Sequence, residues 1–359
     1  MKTKTKIFPL HPLNVTGYFD SEGCFNISVY LNPKMKTGFS VTFSAEFKQH
    51  SNSKNLLYSL KSFFDNKGSI SYSNKTKTVL RYKISNINDI MSFIIPHFDK
   101  YPLITSKQLN YLDFKKAILL IHLKKHLTEE GMSEIIKITK NMNTNRPFEE
   151  KWKFCYNQSL NKDITLSPEW ISSFSDGEGN FNFHIRNKGN STVCAYSISQ
   201  NVHDYHVLAL IVKFFKCGSL YPLIVDNTFE SAYNYFCERK NKGLNSVISY
   251  TITSRELNKN IIIPFFEKYP LYSTKALDFE DWKTLIKLVD DKAYLTEEGK
   301  IKMLNLSKGM NNSRKLDLFS NSVSSMLMQE HIESDLAPTR TESIAVEKPA
   351  QNDNGPQDT

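Results

Sequence analysis

Apolar and polar positions alternate most regularly in two stretches near the start of the chain. Phe25, Ile27, Val29 and Leu31 alternate with Asn26, Ser28 and Tyr30, and Phe39, Val41, Phe43, Ala45 and Phe47 alternate with Ser40, Thr42, Ser44, Glu46 and Lys48. A period of two predicts strands with one face in a core and the other polar. An apolar stretch at Leu13–Phe19 precedes them, and the pattern turns helical again at about Asn52–Phe64 before a turn at Gly68. A second strand pair ends near Ile84. Two amphipathic helices follow, one from about Thr105 to Lys125 and one opened by T-E-E-G, Thr128 to Gly131, a string with helix-entry chemistry.

The whole succession then returns. HFDKYPLITSK, ending at Lys107, reappears as FFEKYPLYSTK, ending at Lys275, and HLTEEGMSEIIKITKNMN from His126 reappears as YLTEEGKIKMLNLSKGMN from Tyr294, both at an offset of 168. Nearer the start of each copy, FDSEGCFNI matches FSDGEGNFNFHI at an offset of 156, and Gln49 faces Gln200. The change of offset means that loops differ in length while the framework repeats. The second copy runs through Trp170–Phe174, a helix at about His203–Phe215, a turn at Gly218, a strand end near Ile252 and Thr296 with Gly299. The predicted fold class is α+β, two pseudo-symmetric α-β-β-α-β-β-α repeats with antiparallel sheets. The expected divisions are a first repeat at 1–143, a polar linker broken by Pro147 at 144–165, a second repeat at 166–319 and an acidic, disordered tail at 320–359.

Charge sharpens this division. From Asn321 onward seven acids face only Arg340 and Lys348, leaving that tail at −5, so of the total of +9 the preceding 320 residues carry +14. A body this basic suits a polyanionic partner. No window approaches the roughly 18 apolar residues of a membrane span, so no membrane partner is expected. The five cysteines are scattered, odd in number and never in C-x-x-C spacing, which argues against a disulfide framework or zinc ribbon and for a reducing compartment. The basic start lacks the apolar run of a signal peptide and reads as a short arm.

The chemistry concentrates where the copies match. Glu22 and Glu178 stand at equivalent positions, each before a glycine, Gly23 and Gly179. Thr16 and Gly17 in one copy, Ser172 and Ser173 in the other, are small enough to let two helices pack side by side on a pseudo-two-fold axis and bring both glutamates together. Two neighbouring carboxylates repel unless a cation intervenes. Sparse carboxylates completed by substrate phosphate describe a magnesium site, and two such ions can activate water and stabilise a leaving oxygen in phosphodiester hydrolysis. Either glutamate alone would read as a surface acid at a helix end. The histidines at 50, 97, 122, 126, 184, 203 and 206 mostly lack a counterpart in the other copy and read as surface or core residues. The polar strand faces are open to two readings, an ordinary solvated sheet or a ribbon that reads base edges in a major groove.

Val15–Gly23 (VTGYFDSEG) and Ile171–Gly179 (ISSFSDGEG) resemble the nine-residue motif of the LAGLIDADG homing endonucleases in their monomeric two-repeat form, and the resemblance covers about residues 8–315. The K-Y-P-L and L-T-E-E-G segments look like an intron-encoded organellar branch. The resemblance implies metal binding by Glu22 and Glu178 with the backbone carbonyls of Ser21 and Gly177, and two or more Mg2+ ions at the repeat interface. It implies catalytic roles for Lys107 and Lys275 and for a water-positioning pair, Gln49 and Gln200. Gly17 and Ser173 fall at the small third position. Lys48 corresponds to Ser199, so the two half-sites need not be cut equally fast.

The resemblance also implies a saddle of two sheets over double-stranded DNA, a monomeric enzyme, and encoding in a mobile intron of a mitochondrion or other organelle. Strand parity nominates Asn26, Ser28, Tyr30, Ser40, Thr42, Ser44, Lys48, Asn182, His184 and Arg186 as the DNA readers. The family alternative is a maturase that binds its own intron RNA on the same scaffold. The intact glutamate pair favours cleavage.

Overall fold

The computed structural model describes residues 5–186, 191–222 and 228–311, apart from the Arg186 side chain. The expected acidic tail lies outside these residues. The described residues all belong to one compact unit. Its first half runs α1 (Pro12–Glu22), β1 (Gly23–Leu31), β2 (Phe39–His50), α2 (Lys54–Phe63), β3 (Ser69–Tyr72) and β4 (Val79–Ile84). After these come α3 (Ile87–Asp89), a π-helical turn, α4 (Ile95–Lys100), α5 (Lys107–His122), α6 (Glu129–Lys140) and α7 (Phe148–Leu160). The second half repeats the scheme with α8 (Pro168–Glu178), β5 (Gly179–Arg186), β6 (Ser191–Asn201), α9 (Tyr205–Phe215), β7 (Ser219–Tyr221), α10 (Phe229–Asn241) and β8 (Val247–Ile252). It closes with α11 (Arg255–Leu257), a π-helical turn, α12 (Ile263–Lys268), α13 (Lys275–Asp290) and α14 (Glu297–Lys308).

Each half folds one antiparallel four-stranded sheet, in the orders β1-β2-β4-β3 and β5-β6-β8-β7. Register follows the alternation in the sequence. Phe25 pairs with Ala45, Ile27 with Phe43 and Val29 with Val41, while Asn26 pairs with Ser44, Ser28 with Thr42 and Tyr30 with Ser40. The first set faces the helices, where Phe25 packs on Phe98, Tyr111 and Phe114 with ring centroids 5.3–5.4 Å apart. The second copy repeats this cluster with Phe181 on Phe266, Phe279 and Trp282.

Three helical features depart from the expected seven-element repeat. A continuous helical run fills 87–100 and 255–268, with a π-helical turn directly before Pro96 and Pro264, the second residues of α4 and α12. Pro147 caps α7 rather than breaking the segment, and Glu149 and Glu150 favour its first turn. Helix α10 is inserted between β7 and β8 and has no counterpart in the first copy. It covers α7 through the stacked rings of Phe148 and Phe236, 3.4 Å apart.

Helices α1 and α8 pack against each other at the centre. A Cβ placed on Gly17 would lie 2.6 Å from the carbonyl oxygen of Trp170 and 3.0 Å from Ser173 Cβ, so a side chain there forces the helices apart. Asn14 Nδ2 donates across the seam to Ser173 Oγ at 2.9 Å and to Glu169 O at 2.8 Å. The small residues also tie each helix to its own K-Y-P-L turn. Thr16 Oγ1 donates to Tyr101 O at 3.1 Å, and Ser172 Oγ donates to Tyr269 O at 2.9 Å.

His97 sits against this seam beside Thr16, Phe63, Phe64 and Phe98, and burial pushes its imidazole down to about 4. Between that value and the ordinary 6.5 the unfolded chain binds a proton that the folded chain refuses, so stability contributed by neutral His97 is lost as pH falls through this window. The loss reaches about 3 kcal/mol. Phe265 occupies the matching place in the second copy. In urea titrations between neutral pH and pH 4 the wild type is expected to lose stability relative to His97→Phe as pH falls. Parallel pH curves would contradict this assignment.

Candidate active site at the junction of the two repeats

The seam ends where the chain turns from helix to strand. Gly23 and Gly179 take extended conformations directly after Glu22 and Glu178, and a Cβ on either would fall 2.5 Å from an atom of the preceding helical turn, in Phe19 or Ser175. Gly177 faces Ser21 so closely that any Cβ there would collide with the serine side chain. This contact brings the ends of α1 and α8 together and places Glu178 within the field of Glu22. Burial first, and then the Glu22 carboxylate, pushes the Glu178 carboxyl above the ordinary glutamate range, against the pull of Lys107, Gln200 and Lys275.

Two lysines complete the cluster from the first residues of α5 and α13. Lys107 Nζ donates to Ser21 O at 2.5 Å and Phe19 O at 3.4 Å, and Lys275 Nζ donates to Gly177 O at 2.8 Å and Ser175 O at 3.1 Å. Burial lowers both ammonium groups, opposed by Asp20, Glu178 and Glu22 at Lys107 and by Asp176, Glu178 and Glu22 at Lys275. The same two carbonyls, of Ser21 and Gly177, were expected to face metal. Each carbonyl oxygen here accepts from a lysine ammonium; its second lone pair, with the two carboxylates, would offer an all-oxygen donor set suited to a hard divalent cation. The glutamines are not equivalent. Gln200 hydrogen-bonds Glu178, whereas Gln49 turns its Oε1 to the backbone N–H of His50 at 2.9 Å.

Asp20 and Asp176, two residues before each glutamate, were not among the predicted site residues. They hold the lysine loops. Asp20 accepts from the N–H groups of Ile104 and Thr105, both at 3.0 Å, from Thr105 Oγ1 at 2.6 Å, and from Trp170 Nε1 of the opposite helix at 2.8 Å. Asp176 accepts from the N–H groups of Tyr272 and Ser273, both at 2.8 Å, from Ser273 Oγ, and from Tyr18 of the opposite helix at 2.9 Å. Each loop is also gripped by the other copy. Ser106 N donates to Asp204 Oδ1 at 2.7 Å, and Thr274 N donates to Ser53 Oγ at 3.1 Å. Asp204 further accepts from Cys155 Sγ at 3.3 Å and lies 3.2 Å from His203 Nε2, so its carboxylate is fully engaged.

The predicted DNA readers of the first sheet share one face by register. Ser28, Tyr30, Thr42 and Lys48 are exposed on it, and Asn26 and Ser40 are half-buried. Ser44 is buried, 3 % exposed, and donates to Glu46 at 2.8 Å, so it stands back from the surface. Asn182 and His184 share the polar face of the second sheet. Arg81 and Lys83, which were not nominated, stand beside Lys48 and Glu46 because β4 pairs with β2.

The braces predict the behaviour of Asp20→Asn. The amide would turn an N–H toward one of four donors and leave it unpaired in the interior, at a cost of about 1–3 kcal/mol. Chemical unfolding should register this loss. Unchanged stability would mean that Asp20 carries no bracing role.

Comparison with known proteins places this geometry. A LAGLIDADG endonuclease family model matches residues 15–118, 171–251 and 235–286. A probable intron-encoded endonuclease 2 of Neurospora crassa is 31% identical over 84% of this chain and 65% of its own length. A probable intron-encoded endonuclease 3 of the same organism is 30% identical over 81% of this chain, which spans only 52% of that relative. The structure of the I-SmaMI LAGLIDADG homing endonuclease bound to cleaved DNA superposes with a TM-score of 0.71 at 28% identity, over 85% of this chain and 98% of that one. The I-GzeII homing endonuclease in complex with its DNA target gives 0.69 at 30% identity, over 85% and 100%. With two copies of the motif meeting at a paired-glutamate seam and the family model spanning both, the chain belongs to the LAGLIDADG endonuclease family.

Proposed function

We propose that the chain is a monomeric, site-specific double-strand DNA endonuclease, and the observation that carries this reading is the single acidic cluster made jointly by the two repeats. One Glu, one Lys and one helix-end carbonyl come from each copy, an arrangement suited to two phosphodiesters related by the pseudo-two-fold axis of a duplex. The DNA-bound relatives support this over the RNA maturase alternative. The intron-encoded relatives support encoding in an intron, and a similar mitochondrial protein of Saccharomyces cerevisiae, RF1, supports a mitochondrial one.

Glu22 and Glu178, with the carbonyls of Ser21 and Gly177, are assigned to holding Mg2+. Bound there, a divalent ion would lower the pKa of attacking water and stabilise the leaving oxygen. Gln200 orients the Glu178 carboxylate. Lys107 and Lys275 supply positive charge where the transferring phosphoryl group develops negative charge. Each is held in place by an aspartate of its own copy and a polar side chain of the other. The sheet faces carry the duplex, with the polar rows toward base edges and phosphates.

The reading is tested with a plasmid library of random inserts, incubated with the protein and Mg2+, from which linearised molecules are recovered. Enrichment of one insert family, abolished by a chelator, is expected. Failure to enrich any insert contradicts the proposal. Replacing both acids (Glu22→Gln with Glu178→Gln) should lower cleavage by about 100-fold or more while the enriched duplex is still bound. Because the Glu178 carboxyl is held up, cation binding should weaken on acidification at a higher pH than an ordinary glutamate would give. Calorimetric titration with Ca2+ across pH reads this directly, and a midpoint in the ordinary glutamate range would refute it.

A further inference from the structure

Two residues from each catalytic turn, the sheets differ sharply. In the first, Glu46 pairs with Lys83 and Lys48 with Arg81 across β2 and β4, which sets four ionic side chains in one square on the polar face. In the second, the matching positions across β6 and β8 are Ser197 with Thr251 and Ser199 with Ser249. A square of three cations and one anion in one copy is a square of four hydroxyls in the other. Both squares occupy the rows next to the helix ends. Cys24 and Asn180, two residues past the glutamates, lie in register with Glu46 and Ser197.

Glu46 is only 5 % exposed, accepts from Ser44, and lies 4.0 Å from Lys48 Nζ, 3.8 Å from Arg81 Nη1 and 3.6 Å from Lys83 Nζ. The cations above it keep about a third to a half of their side-chain surface in solvent. Without a carboxylate beneath them, three positive charges this close would repel and spread. The spacings to Glu46 are longer than good ion-pair hydrogen bonds, so the donors are ordered but not consumed. In the second copy Ser199 and Ser249 share a hydrogen bond of 2.7 Å, and hydroxyls can donate to or accept from any base.

We infer that the two sheets read their half-sites by different chemistry. The Lys48–Arg81–Lys83 square, positioned by Glu46, selects guanine in the base pairs flanking the cleavage centre on the first repeat's side. The Ser197–Ser199–Ser249–Thr251 square tolerates any base pair at the matching positions on the other side. Arginine and lysine donors match the paired O6 and N7 acceptors of guanine in the major groove, whereas hydroxyls do not discriminate. This rests on the reading of the chain as a DNA endonuclease. Glu46 acts through its neighbours and is a positioning residue, while Arg81 is the reader.

Sequencing the inserts cleaved from the random library tests the inference for wild type, Arg81→Gln and Glu46→Gln. The wild type should require guanine beside the centre on one side only. Arg81→Gln should relax that side alone, by about tenfold in discrimination, and leave the other unchanged. Glu46→Gln should tighten binding to unrelated duplex DNA while lowering discrimination on the same side, a split that simple loss of folding cannot produce. Equal base requirements on both sides, or an Arg81→Gln variant that relaxes neither side or both, would overturn the inference and leave the endonuclease reading standing. A wild-type library with no cleaved insert would defeat that reading and this one together.

Discussion

The close approach of α1 and α8 governs the rest of the structure. Gly17 leaves no room for a Cβ against the Trp170 carbonyl, and Gly177 leaves none against Ser21, so the helices touch along their length and at their ends. Any bulkier residue at these points would separate the two copies and, with them, Glu22 and Glu178. The bulk of each repeat, with its own sheet and aromatic core, serves to hold one helix rigid against the other.

Forcing two glutamates together raises the energy of the folded chain, and the site answers with ordered opposite charge. Lys107 and Lys275 are half-buried beside the acids, and their loops are pinned by Asp20 and Asp176, which draw every donor they need from backbone, hydroxyls and one ring group of the opposite helix. These cross-braces make the seam and the lysine loops one mechanical unit. A shift of either helix is transmitted to both lysines.

Much of this was legible in the sequence for a physical reason: duplication prints every symmetric contact twice. The glutamates, lysines and small seam residues all recur, and so do Asp20 and Asp176, whose D-x-E-G context was visible although only the glutamates were given a role. Strand parity was legible because a period of two survives any error of sheet order. Sheet order itself was not. Arg81 and Lys83 alternate cleanly with Leu80, Tyr82 and Ile84, but only the pairing of β4 with β2 sets them beside Lys48. Features that break the symmetry were hidden for the converse reason. Asp204 faces Ser53 in the other copy, Gln200 and Gln49 bond differently, and α10 exists once, so self-comparison could not find them.

The central claim is that the two acids form one shared site rather than one site per repeat. Strand-resolved cleavage by Glu22→Gln alone and by Glu178→Gln alone, on a duplex labelled differently on its two strands, tests this most directly. A shared site predicts that either single substitution suppresses cutting of both strands. A variant that leaves one strand cut at the wild-type rate, yielding a clean nick, would mean that each glutamate serves its own strand and would contradict the account.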